Sequence, residues 1–138
     1  MLIGSSLRRR EDGPLLRGEG QYVEDVRLPG LLHMAVVRSP YPHAGLVRVD
    51  LEAARQMPGV IVAAAAADMS EIRGAMGDPA PPGLKAAPRP VLAGDRVRYV
   101  GEPIAVVVAE DRGVAMDAAE LVEIEYSPLD GVGNVLEA

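Results

Sequence analysis

The sequence predicts an α+β fold with two main helices, at about 51–57 and 112–121, and three observations carry that expectation. Residues 104–109, IAVVVA, are an apolar run closed by Glu110 and Asp111. The run is too short for a helix and rich in valine, as a strand covered on both faces should be, and it is expected at the centre of the sheet. Asp111 then stands where it would cap a helix reaching Leu121, with Val114, Ala118 and Leu121 at helical spacing along one face. Finally, Val122, Ile124 and Tyr126 alternate with Glu123 and Glu125, so the period switches to that of a half-exposed strand.

Taken from the start, residues 1–18 form a basic, turn-rich arm with Arg8, Arg9, Arg10 and Arg17 and no sustained period. Such an arm is either a solvated tail or a segment that crosses to an acidic partner surface. Gly18 and Gly20 form a Gly-x-Gly without a preceding buried strand, a following helix or a third glycine, so a tight turn is expected and not a phosphate cradle. Tyr22 and Val23 begin a short extended segment, Asp25 marks the next turn, and Pro29-Gly30 closes it. Residues 31–38, LLHMAVVR, read as a second buried strand, after which Pro40 and Pro42 exclude helix and hold a rigid, extended loop.

Residues 46–49 make a short strand, Asp50 is placed to cap the helix at 51–57, Pro58-Gly59 ends that helix, and 60–66 is a further apolar strand. From 69 to 93 the pattern fails: this long stretch holds five prolines and three glycines with neither period. Loops of that length in compact domains are usually functional or disordered, so this one is where the scaffold is expected to meet a ligand or partner.

Composition bounds the chemistry. The 138 residues, 49% of them apolar, suit one domain, 1–138, and without Phe or Trp its core must be built from Val, Leu, Ile, Ala and Met. With no cysteine there is no disulfide, thiolate zinc site, cysteine nucleophile or ordinary iron-sulfur cluster on this chain. His33 and His43, the two histidines, have no third and fourth ligand around them and are expected in packed or hydrogen-bonded roles; no metal site is expected. Residues 99–138 carry one basic and nine acidic side chains, which argues against a nucleic-acid partner. No apolar run approaches the roughly 20 residues that span a bilayer, and the arginines at 8–10 occupy the place of a signal peptide's apolar region, so a cytoplasmic protein without membrane contact is expected.

Several segments together carry a family resemblance: G-x-G-x-Y-V-x-D at 18–25, L-P-G-x-L-H-x-A-x-V-R-S-P-x-x-H-A at 28–44, and D-x-x-A-A-x-x-x-P-G-V at 50–60. Ala67-Asp68, R-Y-V-G-E-P-I-A-V-V-V-A at 98–109 and D-A-A-E-L-V-E-I-E-Y-S-P-L at 117–129 follow in order. The chain resembles the N-terminal α/β-hammerhead domain of the molybdopterin-binding large subunit in the xanthine dehydrogenase, aldehyde oxidase and carbon monoxide dehydrogenase family. The resemblance implies a hammerhead fold with a mixed sheet, in an oxidoreductase that hydroxylates aldehydes, heteroaromatic rings or carbon monoxide. It also implies that molybdopterin-molybdenum, iron-sulfur clusters and FAD sit on partner chains or domains, with none on this chain. The implied partners are a molybdopterin-binding large chain and an iron-sulfur subunit, and this chain would be a non-catalytic component that braces them and lines part of the substrate funnel. Residues 69–93 correspond to the funnel region of that family, which makes Leu84 and Lys85 the candidates for facing substrate. Gly101 and Glu102 read either as a structural turn ahead of Pro103 or, at Glu102, as an interface contact. A free-standing interaction or ligand-binding module on the same scaffold is the alternative reading.

Overall fold

The valine-rich run becomes the middle strand of a three-stranded sheet. The computed structural model of the chain describes residues 4, 6, 9–69, 90–134 and 136. In chain order the elements are α1 (Asp12–Leu16), a 3₁₀ turn (Val23–Asp25), β1 (His33–Arg38), β2 (Ala44–Asp50), α2 (Glu52–Gln56), β3 (Val60–Ala65), β4 (Arg96–Val97), β5 (Pro103–Ala109), α3 (Arg112–Glu120) and β6 (Glu123–Pro128). The chain divides into two compact units, Met1–Leu31 and Leu32–Ala138. Among the described residues no helix is long and apolar enough to cross a membrane.

In the first unit, α1 is a single short helix within the stretch read as a periodless arm; five residues are too few to show a period. Two of the arm's arginines sit in exposed ion pairs, Arg9 with Glu11 at 3.9 Å and Arg17 with Glu19 at 2.9 Å. Gly18 lies in a tight turn, its N–H donating to the Leu15 carbonyl (3.2 Å). Val23 is not extended. The Asp25 carboxylate accepts from the Tyr22 N–H at 2.9 Å and draws the chain into the 3₁₀ turn. The Pro29-Gly30 turn closes as expected, with Leu31 N–H on the Leu28 carbonyl at 3.1 Å.

Among the described residues the second unit holds two sheets of three strands, in the orders β1-β5-β3 and β4-β2-β6. Every pairing is antiparallel, so two antiparallel sheets stand where one mixed sheet was expected. The bends at 40–43, which hold Pro40 and Pro42, separate β1 from β2, and β2 pairs with β4 and β6 instead of with its sequence neighbour. His43 holds the same corner by donating through Nδ1 to the Asp130 carbonyl (2.7 Å), a structural role.

Alanine dominates the main core. Leu51, Ala54, Ala63, Ala105, Val107 and Ala118 are buried together, with Val37, Met57 and Ala65 packed around them, so α2 and α3 cover one face of the β1-β5-β3 sheet. Small side chains let helix and sheet backbones approach closely. That is why the buried residues of α3 are Ala115 and Ala118; of the face drawn from spacing Ala118 is buried and Val114 half-buried, while Leu121 is 44% exposed. A second cluster, Ala44, Ala93, Val97 and Ile104 with Leu46, Ile124 and Tyr126, joins the other sheet to the start of β5.

The helix ends follow the capping chemistry with one displacement. Asp111 accepts from the N–H groups of Gly113 and Val114 and caps α3 as expected. At α2 the cap position belongs to Leu51, which is buried, and Asp50 supports the helix from one residue earlier by accepting from Glu52 N–H at 2.9 Å. Gly59 follows with φ +89°; a Cβ there would lie 3.3 Å from Val114 Cγ1, so the corner needs glycine for conformation and space alike.

Candidate functional site

Gly101 and Glu102 stand in the turn between β4 and β5, and the turn is tied down at both ends. Glu102 is only 4% exposed. One carboxylate oxygen accepts the Arg98 backbone N–H, and the other accepts from Arg98 Nη1 at 3.3 Å. A buried carboxylate is costly unless paired and hydrogen-bonded, and here both conditions are met within five residues of chain. Gly101 has φ +89°, a region glycine enters without the penalty other residues bear.

The far side of the turn is clamped by the end of β1. Ser39 N–H donates to the Glu102 carbonyl (3.0 Å), Gly101 N–H to the Ser39 carbonyl (2.8 Å), and Arg38 Nη1 to the Gly101 carbonyl (2.9 Å). Ser39 itself is buried, and its hydroxyl bridges the Tyr41 N–H and carbonyl. Asp95, at the entrance to β4, is held below the ordinary carboxylate range chiefly by the hydrogen bond from Arg96, against a smaller burial effect; Arg98 adds an ion pair at 3.4 Å. This framework leaves Tyr99 and Val100 at the tip 57% and 63% exposed. A rigid turn with an exposed aromatic-apolar tip suits contact with another protein surface.

Leu84 and Lys85 lie outside the described residues. The structure does describe the places where their stretch leaves and rejoins the fold. There β2, the first turn of α2, Ala65–Asp68 and Ala93–Gly94 line a cleft of about 500 Å³. Four of its five charged groups form ion pairs, Arg48 with Asp50 and Arg55 with Asp68 at 3.0 Å, and Arg55 also donates to the Ala63 carbonyl at 3.1 Å; the fifth, Glu52, accepts from Gln56 Nε2 at 2.7 Å. The Asp68 carboxyl is lowered mainly by the Ala65 N–H it accepts (2.9 Å); burial opposes this and Arg55 assists. Burial, with a smaller contribution from Tyr41, pushes the Tyr126 phenol up, and the two rings lie 4.8 Å apart. Among the described residues no three of His, Cys, Asp and Glu converge as metal ligands.

Residues 17–130 match the family model of the aldehyde oxidase and xanthine dehydrogenase a/b hammerhead domain. The chain belongs to this family. The hammerhead chain is 42% identical over 132 residues to the nicotine 6-hydroxylase large subunit of Paenarthrobacter nicotinovorans, an alignment covering 95% of this chain and 16% of that subunit. It superposes on the crystal structure of quinoline 2-oxidoreductase from Pseudomonas putida 86 with a TM-score of 0.85 at 42% identity, covering 99% of this chain and 17% of that one. On the Cu,Mo-CO dehydrogenase the TM-score is 0.78 at 36% identity, over 97% and 16% of the two chains. The hammerhead chain thus spans about a sixth of the length of these relatives. Both the fold class and the family resemblance are established by these likenesses.

The coupling of Glu102 to Arg98 and of Gly101 to Arg38 and Ser39 was not read from the sequence. The first left a signal, an Arg and a Glu four residues apart across a glycine turn. The second left none, since Arg38 and Gly101 are 63 positions apart.

Proposed function

We propose that this chain is a non-catalytic hammerhead component of a molybdenum-dependent hydroxylase, acting on an aldehyde, heteroaromatic or carbon monoxide substrate. Its work is mechanical: it braces the molybdenum-binding portion against the iron-sulfur subunit and supplies part of the wall of the substrate entrance. The observation that carries this reading is the match over nearly the whole chain to large subunits whose names span nicotine, quinoline and carbon monoxide oxidation.

The described residues do not fit a molybdenum-pterin group. Its family implies that cofactor, yet among the described residues no three metal-ligating side chains converge, and Glu102 is engaged with Arg98, Asp68 with Arg55, Asp50 with Arg48 and His43 with the Asp130 carbonyl. Cysteine for iron-sulfur clusters is absent from the sequence. No chemical step is therefore assigned to this chain. Leu84 and Lys85 remain the residues proposed for the entrance wall, and Tyr99 and Val100, carried on the Glu102 turn, are proposed as a contact to the partner surface.

Co-expression with a molybdenum-binding chain tests the assignment. A stoichiometric complex containing molybdenum, with turnover that depends on both parts, is expected. A chain that stays alone under those conditions favours a free-standing interaction module instead.

A further inference from the structure

The β1-β5-β3 sheet has two faces, and the helices cover one. Strand alternation puts Met34, Val36, Val62, Ala64, Val106 and Val108 on the other, and the registers bring them into rows: Met34, Val108 and Val62 across one, Val36, Val106 and Ala64 across the next. Ile104, two residues before Val106 on the same side, is fully buried in the cluster with Ala44, Ala93 and Val97. The second sheet therefore closes one end of this face. Among the described residues of Leu32–Ala138 the other end is open: Met34 is 65% and Val62 48% exposed, and the central Val106 and Val108 are only half-buried.

An antiparallel sheet with one solvated face ordinarily alternates apolar and polar residues. Here all six positions on the open side are apolar, and none carries the charge that protects exposed strands from association. The middle strand is written for burial on both sides, and the described residues of Leu32–Ala138 bury it fully on one. Permanent interfaces are more apolar than transient ones, which selects a constitutive neighbour. In the relatives, this segment accounts for only 16–17% of the chain, so a large body of further polypeptide accompanies it in fixed ratio.

We infer that the open face of the β1-β5-β3 sheet, centred on Val108 between Met34 and Val62, is the seat of a permanent contact with an apolar, charge-free surface of the molybdenum-binding portion of the enzyme. This rests on the proposed assembly and deepens it by naming the surface that holds it together.

The test is co-purification of tagged chain with the molybdenum-binding portion, comparing the wild type, the double variant Met34→Lys/Val62→Lys and the control Met116→Lys. Met34, Val62 and Met116 are all exposed in this chain, so each variant should fold, which circular dichroism and thermal melting check. Met116 lies on α3, in the opposite layer. The expected result is wild-type recovery for the control and at least a tenfold loss for the double variant. Equal recovery for all three overturns the assignment of this face while leaving the proposed assembly intact. No recovery with the wild type overturns both. A wild-type chain that instead forms a dimer abolished by Met34→Lys/Val62→Lys shows that a second copy is the occupant and contradicts the inference.

Discussion

At the scale of single residues, Glu102 shows how a motif letter acquires a physical cause. Its buried carboxylate accepts from the Arg98 N–H and guanidinium, so Glu102→Gln leaves a donor poorly satisfied. The expected cost is about 1–3 kcal/mol of stability, read as a lower urea midpoint with an unchanged slope. An unaltered midpoint with weakened assembly would move the residue's role from the turn to the partner. Asp68 governs a pH response. Its folded-state carboxyl is lowered from 3.8, so the stability it contributes is present above that value and is lost as pH falls through the lower folded one. Asp68→Asn should flatten the acid end of the stability profile below about pH 4. The effect should be small, because the Asp68 side chain is 41% exposed and its pair with Arg55 is screened.

At the scale of elements, the helices are anchored by caps and limited by the size of the alanines beneath them. Asp111→Ala removes the acceptor for two N–H groups and should lower stability by about 1 kcal/mol, measured by thermal or urea unfolding. Ala118→Leu pushes a larger side chain against Ala105 and Val107 and should cost about 1–3 kcal/mol; a neutral result would mean the α3 packing is looser than described. These elements also mark where sequence reasoning succeeds. The run at 104–109, the alternation at 122–126 and Asp111 each carry a local signal, and β5, β6 and the α3 cap appear where those signals lie. Failures trace to information that is not local. The division into two sheets depends on which strands pair across the chain, and the burial of Ala115 in place of Leu121 depends on how closely α3 approaches its neighbours. The turn at Gly101-Glu102 was legible as a turn; its clamp by Arg38 and Ser39 was not.

For the whole molecule, the proposed role is that of a support. Among the described residues the core is a small alanine-rich layer with an apolar sheet face left open on its other side, and four of the five charged groups of the cleft form two ion pairs. On the proposed reading, a body of this kind gains its function from what it is docked against, in a molybdenum-dependent oxidation. On this reading the redox groups belong to the accompanying portion and not to this chain. Metal analysis of the co-purified complex, followed by separation of its parts, measures it directly. The predicted result is molybdenum in the complex that stays with the larger part on separation, and no turnover from this chain alone. Stoichiometric molybdenum or turnover retained by the separated 14.5 kDa chain would contradict it.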